Sequence, residues 1–143
     1  MLEGVEPCDL ITGTPPYFDP KAATPCADEQ RRYAKFEMRG GIEAYAQAAA
    51  RHLAPGGLFV VCAPAVPIDR GANAIASAGL HIRWRRPVLP GPDRAAFLEL
   101  IVASRERSDP VSAPALLLRE ADGRRSLSHA EIREWFGVPA SEY

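Results

Sequence analysis

The 143-residue sequence predicts an α/β domain: strands joined by helices in one sheet that ends in an antiparallel pair. Two runs, Cys8–Thr12 and Leu58–Ala63, are short and continuously apolar apart from Asp9. Such runs are typical of strands covered on both faces. Between them, Ile42, Tyr45, Ala46, Ala49 and Leu53 fall on one helical face. Later, His81–Val88 and Ala96–Ser104 read as strands separated by a link containing Pro90-Gly91-Pro92, which suits an antiparallel pair.

The first strand runs into Thr12-Gly13-Thr14-Pro15-Pro16-Tyr17-Phe18. Two consecutive prolines end sheet pairing, because neither has a backbone donor and both fix φ. Each also pushes the residue before it to an extended conformation. A stiff, donor-free rim at the carboxyl end of a strand follows, with an aromatic pair beyond it. Ligands of open α/β sheets bind at that end, so the stretch reads as an active-site wall. Residues 13–27 form a loop with Pro15, Pro16, Pro20 and Pro25, and residues 28–36 form a helical turn or two.

Arg39-Gly40-Gly41-Ile42-Glu43 opens the next helix, and Pro55-Gly56-Gly57 stops it. Asp69–Ala78 is a short helix with Asp69 near its start and Gly79 at its end. On the strand after it, alternation puts His81, Arg83 and Arg85 on one face and Ile82 and Trp84 on the other. That suits a half-exposed strand near a sheet edge, protected by charge. A Ser/Pro-rich linker then leads to Leu116-Leu117-Leu118, a turn at Asp122-Gly123, and a helix around His129–Phe136. Ser126 or Ser128 caps that helix, and Ser128 has Glu131 three residues on, a capping-box pattern. The expected division is 1–104 for the main unit and 105–143 for a C-terminal extension.

Hydrophobic residues make up 47% of the chain, enough for a packed core, and 17 basic residues against 18 acidic give a net charge of −1. No global charge therefore draws the chain to nucleic acid, and any RNA contact must be local. Arg31, Arg32, Lys35 and Arg39, interleaved with Tyr33 and Phe36, form one local basic-aromatic stretch, diluted by Asp28, Glu29 and Glu37. A solvated helix explains it as well as a nucleic-acid track does. Cys8, Cys26 and Cys62 are odd in number and widely spaced, as reduced thiols of a cytoplasmic protein would be. His52, His81 and His129 have no Cys or carboxylate at ligand spacing, so no metal is expected. No signal peptide or membrane-spanning apolar run is seen.

Strand, Pro-Pro-Tyr, helix, Pro-Gly-Gly, strand, in that order, resembles the later half of class I S-adenosylmethionine-dependent methyltransferases with an Asn-Pro-Pro-Tyr motif. Among them it is most similar to bacterial tRNA adenine-N6 methyltransferases that modify valine tRNA. The resemblance covers roughly residues 8–104. It implies a Rossmann-like sheet ending in a reversed strand, S-adenosylmethionine as cofactor, and an RNA substrate. Thr14 stands where the family has Asn or Asp. No Gly-x-Gly occurs in the chain, so the family's cofactor loop has no counterpart and the chain corresponds to the family's C-terminal half.

The resemblance also assigns roles. Methyl transfer to an amino nitrogen is mainly a matter of positioning. In the family, the Asn side chain and the first proline's carbonyl accept hydrogen bonds from the target amino group, and the aromatic stacks on the flipped base. Carried onto this sequence, Thr14, Pro15, Pro16 and Tyr17 form the catalytic wall, with Phe18 and Arg39 toward substrate. Thr14 offers a hydroxyl, which donates as readily as it accepts. The same wall serves protein-glutamine and guanine-N2 methyltransferases, so base and amide targets both stay open. A non-catalytic, methyltransferase-like binding subunit is the reading from another class.

In the family's sheet the strand at 8–12 is central. Without the front half its edge lies open to pairing with that half or with another copy. Ala115–Arg119 is the segment of the chain best placed by sequence to cover it.

Overall fold

A computed structural model describes residues 6–16 and 40–138. The expected helix at 28–36 and Cys26 lie outside the described residues. Six strands form one sheet: β1 (Cys8–Gly13), β2 (Leu53–Pro64), β3 (His81–Leu89), β4 (Leu98–Ser104), β5 (Val111–Ser112) and β6 (Leu116–Leu117). The order is β1-β2-β4-β3-β5, with β6 also on β3. β1 and β2 are parallel, and β4 runs antiparallel to both β2 and β3. One reversed strand is thus inserted between strands that point the same way. Helices α1 (Ile42–His52) and α2 (Arg70–Ser77) make the two crossovers, and α3 (Leu127–Trp135) follows β6.

Alternation along the strands decides where the core lies. Phe59, Val61 and Ala63 of β2 point to the same side as Ile101 and Ala103 of β4. On them rest Ile42, Ala46 and Ala49 of α1 and Ala74 and Ile75 of α2, in one buried cluster. Small residues bring the helices close to the strands. A Cβ on Gly71 would lie 2.8 Å from the Ala63 Cβ and 2.9 Å from the Ile101 Cδ1. Among the described residues, no helix covers the other face of the sheet in this way. Leu10 is 59% exposed, Leu58 is exposed, and Val60, Cys62, Trp84, Leu100 and Val102 are only half-buried. Of the described helices, α1 and α2 both pack on one side, and α3 contacts β6.

The start of β2 differs from the expectation. Leu53 already pairs with Cys8, and the register then jumps to Leu10 opposite Leu58. Pro55-Gly56-Gly57 thus lies in an irregularity inside β2, and Pro55, two residues past the C-cap Leu53, is where the helix cannot continue. Arg105 satisfies carbonyls left free at this end, donating to the oxygens of Ala50 at 2.6 Å and Leu53 at 3.1 Å. Beside it the Gly56 N–H donates to Glu106 Oε1 at 2.7 Å, which holds that carboxyl below the usual carboxylate range. α2 ends as the sequence implies. Gly79 has φ +75°, Gly79 N–H donates to the Ala76 oxygen and Leu80 N–H to the Ile75 oxygen, a Schellman closure. At the start of α2, Asp69 sits at the N-cap in the left-handed region, φ 61°, and its side chain makes no cap bond.

β3 corrects the alternation. Its register moves from Ile82 opposite Ala103 to Trp84 opposite Val102, so Arg83 is a bulge. Ile82 then faces the core and Trp84 the open face. Arg85 turns to the helix side, where its Nε donates to Glu99 Oε1 at 2.5 Å. At the C-terminus, Ser126 caps α3, accepting from the His129 N–H at 3.1 Å; the Ser128–Glu131 box does not form. The same Ser126 hydroxyl donates to the Leu117 carbonyl. Leu116 and Leu117 pair with Val88 and Leu89 of β3, on the far side of the sheet from β1. The segment expected to cover the β1 edge is thus committed elsewhere, and among the described residues β1 pairs with β2 alone. No described helix is long and apolar enough to cross a membrane.

The Gly71 contact yields a test. The Ala63 Cβ has no rotamer with which to yield, so Gly71→Ala forces a backbone shift. The expected loss is about 1–3 kcal/mol by urea denaturation, outweighing the gain in helix propensity. The exposed Asn73→Ala should stay within about 0.5 kcal/mol. An equally small change in both variants contradicts the packing described.

Candidate functional site

The site lies where β1 leaves the sheet. Gly13 is the last strand residue and pairs with Val61. Its missing side chain matters, because a Cβ there would lie 2.9 Å from Cδ1 of Tyr45. The Tyr45 ring, carried by α1, thus lies against the backbone at the exit of the strand. Thr14 then comes to the surface, Pro15 is fully buried, and Pro16 is half-buried. A buried ring with fixed φ anchors the turn, while the residue before it keeps its hydroxyl in solvent.

Two open recesses flank this exit. One, of about 310 Å³, lies on the face away from α1 and α2 and is lined by Thr12, Thr14, Cys62, Trp84, Leu100 and Val102, among others. The other, of about 370 Å³, lies between β1 and α1 and includes Cys8, Ile11, Ala44, Tyr45, His52 and Phe59. Both linings are largely apolar. Among the described residues no group of three or more His, Cys, Asp or Glu could hold a metal ion.

Ion pairs tie together the elements at the same end of the sheet. Arg70, first in α2, makes a two-pronged contact with Glu43 in the first turn of α1: Nε to Oε1 at 2.8 Å and Nη2 to Oε2 at 2.9 Å. The Arg70 hydrogen bond holds the Glu43 carboxyl below its usual range. Both groups are partly solvated, so the pair contributes less than about 1 kcal/mol. Its role is to fix one helix start against the other. Arg85 binds Glu99 and lies 3.8 Å from Asp69.

Of the residues the sequence marks, the structure brings Thr14, Pro15 and Pro16 to the carboxyl end of β1. Tyr17, Phe18 and Arg39 lie outside the described residues, as do Arg31, Arg32, Tyr33, Lys35 and Phe36. Sequence reasoning passes over Gly13 and the Tyr45 ring against it. The available signal was a glycine ending an apolar strand, opposite a helix with one aromatic on its inner face. It also passes over Val66, Ile68 and Phe97, exposed large apolar residues at the same end of the sheet.

No protein-family model matches the chain. A tRNA1(Val) (adenine(37)-N6)-methyltransferase of Musicola paradisiaca is 30% identical over 111 residues, which are 78% of this chain and 44% of that protein. The protein of the same name from Pectobacterium carotovorum is 29% identical over 130 residues, 89% of this chain and 50% of that one. The chain thus spans about half the length of these curated relatives. Among solved structures, a predicted O-methyltransferase from Agrobacterium tumefaciens superposes with a TM-score of 0.59 at 17% identity, covering 96% of this chain and 56% of that one.

The contact at Gly13 can be tested alone. Gly13→Ala should cost about 1–3 kcal/mol in urea unfolding, because the new methyl displaces the Tyr45 ring. In a Tyr45→Ala background the cost should vanish, a coupling larger than about 0.5 kcal/mol. Additive losses mean that Tyr45 does not pack on Gly13.

Proposed function

We propose that this chain, which has the later half of a class I methyltransferase fold, is the substrate-side half of an N-methyltransferase acting on the exocyclic amino group of adenine in tRNA. The observation that carries this is a strand ending in solvent-facing Thr14 and buried Pro15, in a chain whose relatives are named tRNA adenine-N6 methyltransferases.

The chemistry asked of these residues is orientation. An exocyclic amino group is flattened by conjugation with its ring, and its lone pair is spread into the base. Two acceptors aimed at its two N–H groups draw it toward a tetrahedral shape and free the lone pair. Pro15 has no N–H and presents only its carbonyl. The Thr14 hydroxyl supplies the second acceptor in place of a longer amide. By the resemblance, stacking on the base falls to Tyr17 and substrate binding to Phe18 and Arg39. Such positioning is worth several kcal/mol in transfer reactions.

S-adenosylmethionine is the cofactor this reading requires. The described residues supply no cradle for it: β1 leads into Thr14-Pro15-Pro16, not into a glycine turn that opens a helix. In this proposal the cradle is built by residues beyond the described ones, packed along the edge of β1 that is unpaired among the described residues. Thr14 itself favours a second reading, a binding subunit without catalysis, because a hydroxyl is a shorter and less committed acceptor than the family's amide.

With a front half joined to the chain, Thr14→Val should lower kcat/KM for a valine tRNA transcript by 1–3 kcal/mol, roughly 5- to 150-fold. Thr14→Asn should match or exceed the parent rate. An unchanged rate for Thr14→Val removes Thr14 from the mechanism. Absence of transfer even for Thr14→Asn favours the binding subunit.

A further inference from the structure

Beyond the Thr14–Pro15 wall, the carboxyl end of the sheet carries a second feature. The β2–β4 ladder ends at Pro64 opposite Leu98, and one more bond continues it, from the Ala65 N–H to the Phe97 oxygen at 3.1 Å. Here β2 departs through Val66-Pro67-Ile68 and β4 enters from Phe97. Val66 is 71% exposed, Ile68 82% and Phe97 44%. A lone exposed apolar residue needs no explanation. Three at one rim, where ligands of such sheets bind, do.

The backbone under these side chains is held. Arg70 N–H donates to the Pro67 oxygen at 3.2 Å, Asn73 N–H to the Asp69 oxygen at 2.8 Å, and Phe97 N–H to the Val88 oxygen at 3.1 Å. The nearby carboxylates are partnered as well: Glu99 binds Arg85, and Asp69 lies 3.8 Å from the same guanidinium. The rim thus presents a fixed apolar surface whose acidic neighbours are partly neutralised, which lessens repulsion of a polyanion. Phe97 enters β4, two strand spacings or about 10 Å across the sheet from β1. That is within the span of a few nucleotides of a single strand passing over Thr14.

We propose that Phe97, with Ile68 and Val66, forms a stacking lip for the nucleotides that flank the methylated adenine. The proposal rests on the RNA substrate proposed above. Aromatic platforms suit this task because every base has a π face, and a tRNA base must leave its stack to reach the wall. Flanking bases freed by that extrusion need new partners, and the lip supplies them. It thereby favours a target in a loop, where neighbours are already unpaired.

The test is fluorescence anisotropy of the chain with a labelled hairpin of the valine tRNA anticodon arm. A second hairpin has the two nucleotides flanking the target adenine replaced by abasic sites. Phe97→Ala should weaken binding to the intact hairpin about tenfold, equal to about 1.4 kcal/mol, while Phe97→Tyr keeps it. Ile68→Ser should cost severalfold, and Leu127→Ser, 80% exposed on α3, nothing. On the abasic hairpin the Phe97→Ala loss should disappear. Should Phe97→Ala fail to fold, Ile68→Ser carries the same comparison. Equal loss on both hairpins overturns stacking. Unchanged binding with a lower melting temperature assigns the rim to the chain's own packing and overturns the proposal. A parent chain that binds neither hairpin overturns the RNA reading and this inference with it, whereas binding that is indifferent to the lip overturns this inference alone.

Discussion

Both crossover helices sit on one side of the sheet, and the residues between them and the strands are small. Ala46 and Ala49 of α1 and Gly71 and Ala74 of α2 let backbone approach Phe59, Val61, Ala63 and Ile101 closely. The rest of the structure depends on this seating. It fixes where α1 begins, and hence where Tyr45 lies against Gly13. It brings Arg70 to Glu43, so the helix starts line up at one end of the sheet. It also leaves the opposite face of β1, β2 and β4 with half-buried apolar side chains and no described helix on them.

That one-sidedness links the fold to the proposed chemistry. A strand with a free edge and an apolar face turned outward is not a stable end point. The solved neighbour is also about twice as long as the stretch it shares with this chain, which covers 56% of it. The open edge of β1 and its functional end belong to the same strand, so whatever pairs along Leu10–Thr12 arrives beside Thr14. Under the proposed function, methyl transfer depends on what packs along this edge of β1.

Much of this was legible in the residues. The apolar runs, the helical spacing from Ile42 and the Pro-Gly-Pro link placed four of the six strands and their order of appearance. The Thr-Pro-Pro turn marked the end of β1. What the sequence hid has a physical cause in each case. Periodicity shows that a strand is apolar on both sides but not whether a partner covers both. A bulge, as at Arg83, swaps faces without any residue that announces it, so Ile82 and Trp84 were assigned together. Arg105, distant in sequence, takes free carbonyls at the end of α1, a contact that no local pattern encodes. Leu116–Leu117 found β3 instead of β1 because the chain was already at that side of the sheet. The exposed rim at Val66, Ile68 and Phe97 depends on two loops meeting, which no local pattern encodes.

Amide exchange at Leu10, Ile11 and Thr12 reports whether the edge of β1 away from β2 is open to a further strand, as the proposed function requires. The measurement is made on the chain alone and again after mixing with the front half of the Musicola paradisiaca relative. In the chain alone the amides facing away from β2 should exchange rapidly, and mixing should protect them. Full protection of all three in a monodisperse monomer, unchanged on mixing, would contradict an open edge.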